Sequence, residues 1–262
     1  MYRHVSAAQH RKDFGLPKDY KVDACIVYGG WDKKRYRNKF LQQARKLGTV
    51  SVEKNDYSFL FDILSVRVDK KRIWFIVAYG GTMLSEYLHL ASLLGSKKNI
   101  LIGTCGGLQK GKDTFLTITP TAAYSTESSS HMYLRNAKNN LFASDKNLST
   151  KLIAQLEKEE IVVASGKTIT CQAMLAETWN DVIAWSKKGY LGVEMEAATI
   201  FAVSKHFKVP SAALLQVADN LIEKETVMDT SYFKKRKKLN TIRNKLFDIV
   251  IRDCVKMRNE KS

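Results

Sequence analysis

Proline is scarce in this 262-residue chain, with only Pro17, Pro120 and Pro210. With no Pro/Gly-rich linker and no internal repeat, residues 1–262 are expected to form one domain, with 1–22 as an N-terminal extension. No apolar run reaches the ~20 residues of a membrane span. The opening MYRHVSAAQHRKDFGLPKDY lacks the apolar core of a secretory signal. Cysteine is sparse as well: Cys25, Cys105, Cys171 and Cys254 lie far apart, and none has a histidine at metal-ligand spacing. These absences predict reduced thiols, no metal, no membrane contact and a cytoplasmic setting. Acidic charge is the minority, 26 Asp and Glu against 43 Lys and Arg, for a net +17. That surplus favours anionic partners such as phosphate, phosphate esters or nucleic acid. Its densest run, KKRKK at 234–238, precedes Leu239, Ile242, Leu246, Ile249 and Val250 at helical spacing. The segment 234–262 therefore reads as a basic C-terminal helix with a solvated face. No zinc-finger, RNP or Gly-rich signature supports a nucleic-acid partner.

What is present is an alternation of short apolar runs and helical patterns. DACIVYGG, SFLFDILSVRV, RIWFIVAYGG, NILIGTCGG, FLTITPTAAYS and PSAALLQVADN read as strands. EEIVVASGKTITC reads as a strand pair or one bent strand. RNKFLQQARKLG, MLSEYLHLASLLG, STKLIAQLEKEE and ETWNDVIAWSKKG read as helices, three of them ending in glycine. Residues 125–150, rich in Ser and Asn, read as a long polar excursion. Strands separated by helices of this length indicate an α/β fold with a largely parallel twisted sheet flanked by helices.

In open α/β sheets, ligands bind beyond the carboxyl ends of strands. Three strand ends carry glycine: Gly29-Gly30, Gly80-Gly81 and the stretch from Gly103 to Gly107. Glycine lets backbone amides approach an anion, and the Thr104 hydroxyl adds a donor. No Walker A loop or dinucleotide fingerprint is present. Downstream, GVEMEAATIFAVSKHF sets Glu194 and Glu196 at the entrance of an apolar helix, where a helix dipole favours negative charge.

The combination of GTCGGL (103–108), GVEMEAA (192–198) and VADN (217–220) resembles the nucleoside phosphorylase-I family, which holds purine nucleoside and uridine phosphorylases and related nucleosidases. The resemblance runs from about Ile26 to Asp253. It implies a mixed, partly barrel-like sheet, with active sites built at a dimer contact of a homo-oligomer, dimer-based and up to a hexamer. The implied reaction is reversible phosphorolysis of a nucleoside to free base and ribose 1-phosphate. Inorganic phosphate is the co-substrate, and no cofactor is implied.

Breaking an N-glycosidic bond builds positive charge on the sugar and negative charge on the departing base. A site therefore needs an anion near the sugar and a donor near the base. On the resemblance, Glu196 accepts from the ribose diol, Met195 lies against the sugar and Glu194 lies near the base or sugar. His10 corresponds to an N-terminal histidine reaching a neighbour's sugar. Asp219 corresponds to the general acid of the purine enzymes, which tilts the substrate towards purines. Met174 stands where an aromatic packs on the base, with Gln172 beside it. Cys105 and Gly106 are taken as further base contacts.

The phosphate positions depart from the family pattern. Where the family carries arginine ahead of the glycine turn, this chain has Leu101. The first loop reads GGWDKKRYR, so Gly30 keeps the turn while Lys34, Arg35 or Arg37 supplies the missing charge and Thr104 completes the cradle. A dianion held without its usual guanidinium fork binds less tightly or in another geometry. Two alternatives thus stand beside phosphorolysis: hydrolysis by an activated water, and a non-catalytic nucleoside-binding descendant.

Overall fold

The computed structural model describes residues 4–54, 58–60, 62–111 and 115–256. Strand β1 (Ala24–Gly29) is apolar because both of its faces are covered. Its Cys25 and Val27 enter one core, and Ala24, Ile26 and Tyr28 enter another. The same alternation sorts Trp74 and Ile76 from Ile73 and Phe75 in β4 (Lys71–Ala78), and Leu215 from Leu214 in β10 (Ser211–Asn220). The first core holds α3 (Gly81–Leu93) and α7 (Ala197–His206). The second holds α2 (Lys33–Ala44), α5 (Lys146–Lys158) and α8 (Thr230–Val255).

Central strands β4, β1, β5 (Asn99–Gly107) and β10 run parallel, so their carboxyl ends share one edge. Strands β3 (Ile63–Val68) and β2 (Val50–Glu53) extend the sheet antiparallel beyond β4. On the other side β10 pairs with β6 (Thr117–Tyr124), β6 with β8 (Val163–Thr170), β8 with β9 (Gly192–Glu194), and β9 returns to β5. Those five strands close a circuit, so the mixed α/β sheet is partly a barrel. Strand β7 (Leu141–Ala143) pairs with β6. Helices α1 (Ala7–Asp13), α4 (Ser128–Tyr133) and α6 (Trp179–Lys187) complete the fold.

The junction of open sheet and barrel lies on β5. One edge of β5 pairs with β1 through residues 99–102 and with β9 through Gly106 and Gly107. Among the described residues no strand pairs with 103–105 on that edge, and the ladder opens there. The GTCGG segment is thus strand, not a glycine turn. Its glycines serve close packing: a Cβ on Gly106 would lie 2.7 Å from Leu221 Cδ1, and one on Gly107 3.1 Å from Val217 Cγ1.

Other expectations also shift. Asp32 accepts from the Arg35 amide and starts α2 at Lys33, earlier than its apolar pattern suggests, and the helix ends before Gly48. The 125–150 excursion is ordered by α4, β7 and the start of α5, whose N-cap Asp145 accepts from the Leu148 amide. EEIVVASGKTITC is the single strand β8. In GVEMEAA the chain is first strand, and the helix begins only at Ala197. The basic C-terminal helix, expected from residue 234, starts earlier, at Thr230. The strand expected from Ser58 begins at Ile63, and its Phe61 lies outside the described residues, as do residues 1–3 of the N-terminal extension and 257–262 of the basic helix. No described helix is long and apolar enough to cross a membrane.

Asn99 ties β5 to both helices of the first core. Its amide donates to Ser92 Oγ (3.1 Å) and Ser204 Oγ (2.9 Å), and its Oδ1 accepts from Ser96 Oγ (2.9 Å), all in a buried setting. Asn99→Ala removes all three of these buried hydrogen bonds, so chemical denaturation is expected to show a loss of about 1–3 kcal/mol. An unchanged midpoint would contradict this role.

Candidate active site

The opening in the ladder at β5 leads into a cavity of about 500 Å³ at the carboxyl edge of the parallel strands. Each wall follows from the local chain path. Gly29 and Gly30 end β1, Tyr79 follows β4, Thr104–Gly106 come from β5, and Glu194–Glu196 join β9 to α7. Asp219 lies near the end of β10.

Glu196 is 4% exposed. Its Oε1 accepts from the Gly80 amide at 2.8 Å, and its Oε2 lies 2.5 Å from where a Cβ on Gly29 would stand. Gly80 has φ +86°, a conformation that favours glycine, and this turns its N–H towards the carboxylate. Burial, reinforced by the charge of Glu194, pushes the Glu196 carboxyl up to about 8, against hydrogen bonds from Gly80 and Met195.

Glu194 does a different job. Its Oε2 accepts from the amides of Glu196 (2.8 Å) and Ala197 (2.6 Å), and its Oε1 accepts from Thr170 Oγ1. Both oxygens are thereby committed to the first turn of α7, whose N-cap has no side-chain cap of its own. Glu194, expected near the base or sugar, thus caps this helix and also lines the cavity. Burial raises its carboxyl to about 7.

Asp219 Oδ2 accepts from the Val227 amide at 2.9 Å, which folds segment 224–228 over the cavity. Burial raises this carboxyl to about 6; the Val227 hydrogen bond opposes the shift, while Glu225 and Asp229 add to it. A carboxyl so poised holds a proton for part of the time near neutral pH.

Of the residues singled out in the sequence, Gly29, Gly30, Thr104, Cys105, Gly106, Met174, Glu194, Met195, Glu196 and Asp219 line this cavity. The others lie elsewhere. Gln172 accepts from the Gly81 amide (2.7 Å) and donates to the Met195 carbonyl (2.8 Å), so its amide bridges backbone instead of meeting a base. His10 sits on α1 against Phe14, outside the cavity wall. Lys34, Arg35 and Arg37 belong to the first turns of α2, not to a loop, and helical geometry fans them away. Lys34 is exposed, Arg35 donates to Asn240 Oδ1 on α8 (3.3 Å), and Arg37 donates to the Asp62 carbonyl (2.8 Å). Leu101 is fully buried in the apolar core shared with α3 and α7.

The structure adds residues the sequence did not announce: Trp31, Tyr79, Glu177, Trp179 and Lys224. Trp31 and Tyr79 meet edge to face at 5.3 Å, and Lys224 Nζ stands 5.6 Å from the Trp179 ring centroid. Exposed aromatics at strand and helix ends were the available signal for three of them. Among the described residues the wall carries Glu177, Glu194, Glu196, Asp219 and Glu225 against the single cation Lys224, the reverse of the chain's overall charge. No group of three or more metal-ligating side chains occurs among the described residues.

Because folding lifts the Glu196 carboxyl from about 4.5 to about 8, the folded chain takes up a proton between those values. Its stabilising contribution is therefore greatest in acid and is lost as pH rises through this window. Glu196→Gln carries no such charge. Its thermal stability relative to the parent should increase from pH 5 to pH 9, and a difference that stays constant with pH would refute the assignment.

Comparison with known proteins agrees with this architecture. A family model described as "Phosphorylase superfamily" matches residues 42–251. Among curated relatives, a DeoD-type purine nucleoside phosphorylase of Alkaliphilus metalliredigens is 27% identical over 150 residues, covering 56% of this chain and 60% of the relative. A guanosine phosphorylase of Halorubrum lacusprofundi is 27% identical over 131 residues, covering 50% and 54%. The chain thus spans little more than half the length of these two relatives. A uridine phosphorylase structure from Vibrio fischeri ES114 superposes with a TM-score of 0.72 at 16% identity, over 91% of this chain and 95% of that one, and shares the fold. The chain belongs to the phosphorylase superfamily.

Proposed function

We propose that the protein is a pentosyltransferase that cleaves the N-glycosidic bond of a purine nucleoside, with inorganic phosphate as acceptor and no cofactor. The observation that carries this reading is that Glu196 and Asp219, from different elements, line one cavity of nucleoside size. Glu196 accepts hydrogen bonds from the ribose diol, donors that favour its ionised form, and that charge favours the oxocarbenium-like transition state. Met195 covers the sugar and Met174 covers the base, its polarisable sulfur replacing an aromatic face. The C1′–N bond breaks with its electron pair going to the base. Asp219 gives a proton to the imidazole ring, and a phosphate oxygen bonds to C1′ to yield ribose 1-phosphate. Thr104 contacts that phosphate, and Gly30 leaves room beside it, its own amide being committed to the Ala78 carbonyl. The names of the purine nucleoside and guanosine phosphorylase relatives support this choice.

A second reading, with water as acceptor, is favoured by the wall's charge: among the described residues its one cation is Lys224, and Arg35 and Arg37 point elsewhere. The homo-oligomer implied by the resemblance stays part of the proposal, since Trp31, Tyr79 and Leu175 are exposed at the cavity. Inosine, adenosine, guanosine and uridine, each incubated with and without phosphate, separate the readings. Phosphate-dependent release of purine with formation of ribose 1-phosphate is expected. Release that ignores phosphate would transfer the case to hydrolysis. Asp219→Asn should lower purine turnover by about 10²-fold or more, and an unaffected rate would remove Asp219 from the mechanism.

A further inference from the structure

Partly buried cations outside the cavity commonly find a carboxylate: Lys33 reaches Asp62, Arg72 reaches Glu53 and Lys98 reaches Asp253. Two half-buried cations of α2 do not. Arg35 Nη2 donates to Asn240 Oδ1 (3.3 Å), and Lys39 Nζ donates to Asn244 Oδ1 (2.8 Å). Both acceptors are neutral amides of α8. Arg35 and Lys39 stand one turn apart on α2, as Asn240 and Asn244 do on α8, so the two helices meet in two matched rungs. Arg243 of α8, which is 4% exposed, adds a third positive charge. Its Nη1 lies 3.3 Å from the same Asn240 oxygen, and its Nη2 donates to Gln216 Oε1 at 3.1 Å.

Cations gathered in one groove repel each other, and neutral amides do little to offset that. Burial first, then the charges of Arg243 and Arg35, push the Lys39 ammonium down to about 8. Both charges acting on it are positive, and beneath α2 the contact with the sheet is apolar, Phe40 stacking on Phe75 at 4.4 Å. Such a cluster costs stability until an anion enters it. The two amides fix Arg35 and Lys39 in place yet leave most of their N–H donors for a ligand. A planar guanidinium beside a compact ammonium suits a tetrahedral oxyanion. Neither Arg35, Lys39 nor Arg243 lines the cavity. Their groove lies behind its wall: Tyr36, next to Arg35, stacks on Tyr28 at 3.7 Å, and a Cβ on Gly30 would stand 3.1 Å from Tyr28 Cε1.

We propose that α2 and α8 form a second, non-catalytic site for a phosphate group, held by Arg35 and Lys39 with Arg243 behind them. The group is a free phosphate or the phosphate of a small ester. The site goes beyond the nucleoside reading and does not depend on it. It also gives the surplus of basic charge one defined point of attachment, which the acidic cavity does not.

The test is titration calorimetry on the full chain at low ionic strength, with inorganic phosphate, glycerol 3-phosphate and sulfate as probes. Thr104→Val and Lys224→Ala are present in every sample, so that the cavity's own contacts to an anion are removed. In this background phosphate should still bind. Adding Arg35→Gln and Lys39→Gln should weaken it by about tenfold or more. Lys234→Gln and Lys237→Gln remove the same charge from an exposed part of α8 and should change it by less than about twofold. Equal affinity for phosphate and glycerol 3-phosphate shows that the phosphate group alone is held, and tighter binding of either one names the source. Sulfate keeps its charge across the pH range, so it reads the protein's titration. Its affinity should fall severalfold from pH 7 to pH 9 as Lys39 loses its proton, and Lys39→Arg should abolish that fall. This arm reads Arg35 and Lys39 in place, so it decides even if their double substitution unfolds the chain. Absence of binding by phosphate and sulfate would overturn the proposal. So would equal weakening by the two double substitutions, or a sulfate affinity indifferent to pH.

Discussion

One buried carboxylate sets the geometry of this protein. Glu196 is held by the Gly80 amide and pressed against the face of Gly29, where no side chain fits. Three elements must meet to place it: the end of β1, the turn after β4 and the entrance of α7. Each contributes through backbone or the absence of a Cβ. Burying that carboxyl costs free energy, visible in its upward-shifted proton affinity. Such a cost is typical of sites where function, not stability, selects the residue. Glu194 makes the arrangement possible by capping α7 from below, so that the adjacent Glu196 is not drawn into the cap and its Oε1 accepts from Gly80 instead.

The sheet supplies the space. By pairing first with β1 and then with β9 along one edge, β5 leaves a gap of three residues between an open sheet and a small barrel. The carboxyl ends of β1, β4 and β10 lie beside this gap, so their terminal residues line one cavity as they do at the ligand edge of other α/β sheets. The result is an acidic cavity in a basic protein. Its carboxyl groups suit a ligand that is cationic in the transition state and rich in donors. Among the described residues, phosphate bound in this cavity would have to rely on Thr104 and Lys224 within one chain, since the Gly30 amide is taken by the Ala78 carbonyl.

Much of the fold was legible because strand and helix periodicities differ, and because apolar runs such as CIVY and AALLQV leave little freedom of assignment. What escaped was set by tertiary context. The GTCGG glycines read as a turn because sequence does not reveal that Leu221 and Val217 crowd them. The Lys34–Arg37 segment read as a loop because the Asp32 cap extends α2 forward beyond its apolar pattern. Within the site, Glu196 and Asp219 were legible from their motifs. Gln172 was misplaced because its bridge between Gly81 and Met195 joins residues far apart in the chain. Glu177 gave no signal, since an acid just ahead of a helix is ordinary in composition and only its position in the cavity distinguishes it.

The central claim is that Glu196 and Asp219 grip the two ends of one nucleoside. A crystal structure of the full chain with a C-nucleoside, whose carbon–carbon linkage resists cleavage, tests it directly. The account predicts the ribose diol on the Glu196 carboxylate and the five-membered ring of the base facing Asp219. A nucleoside bound outside this cavity, or inside it with neither carboxyl group in contact, would contradict it.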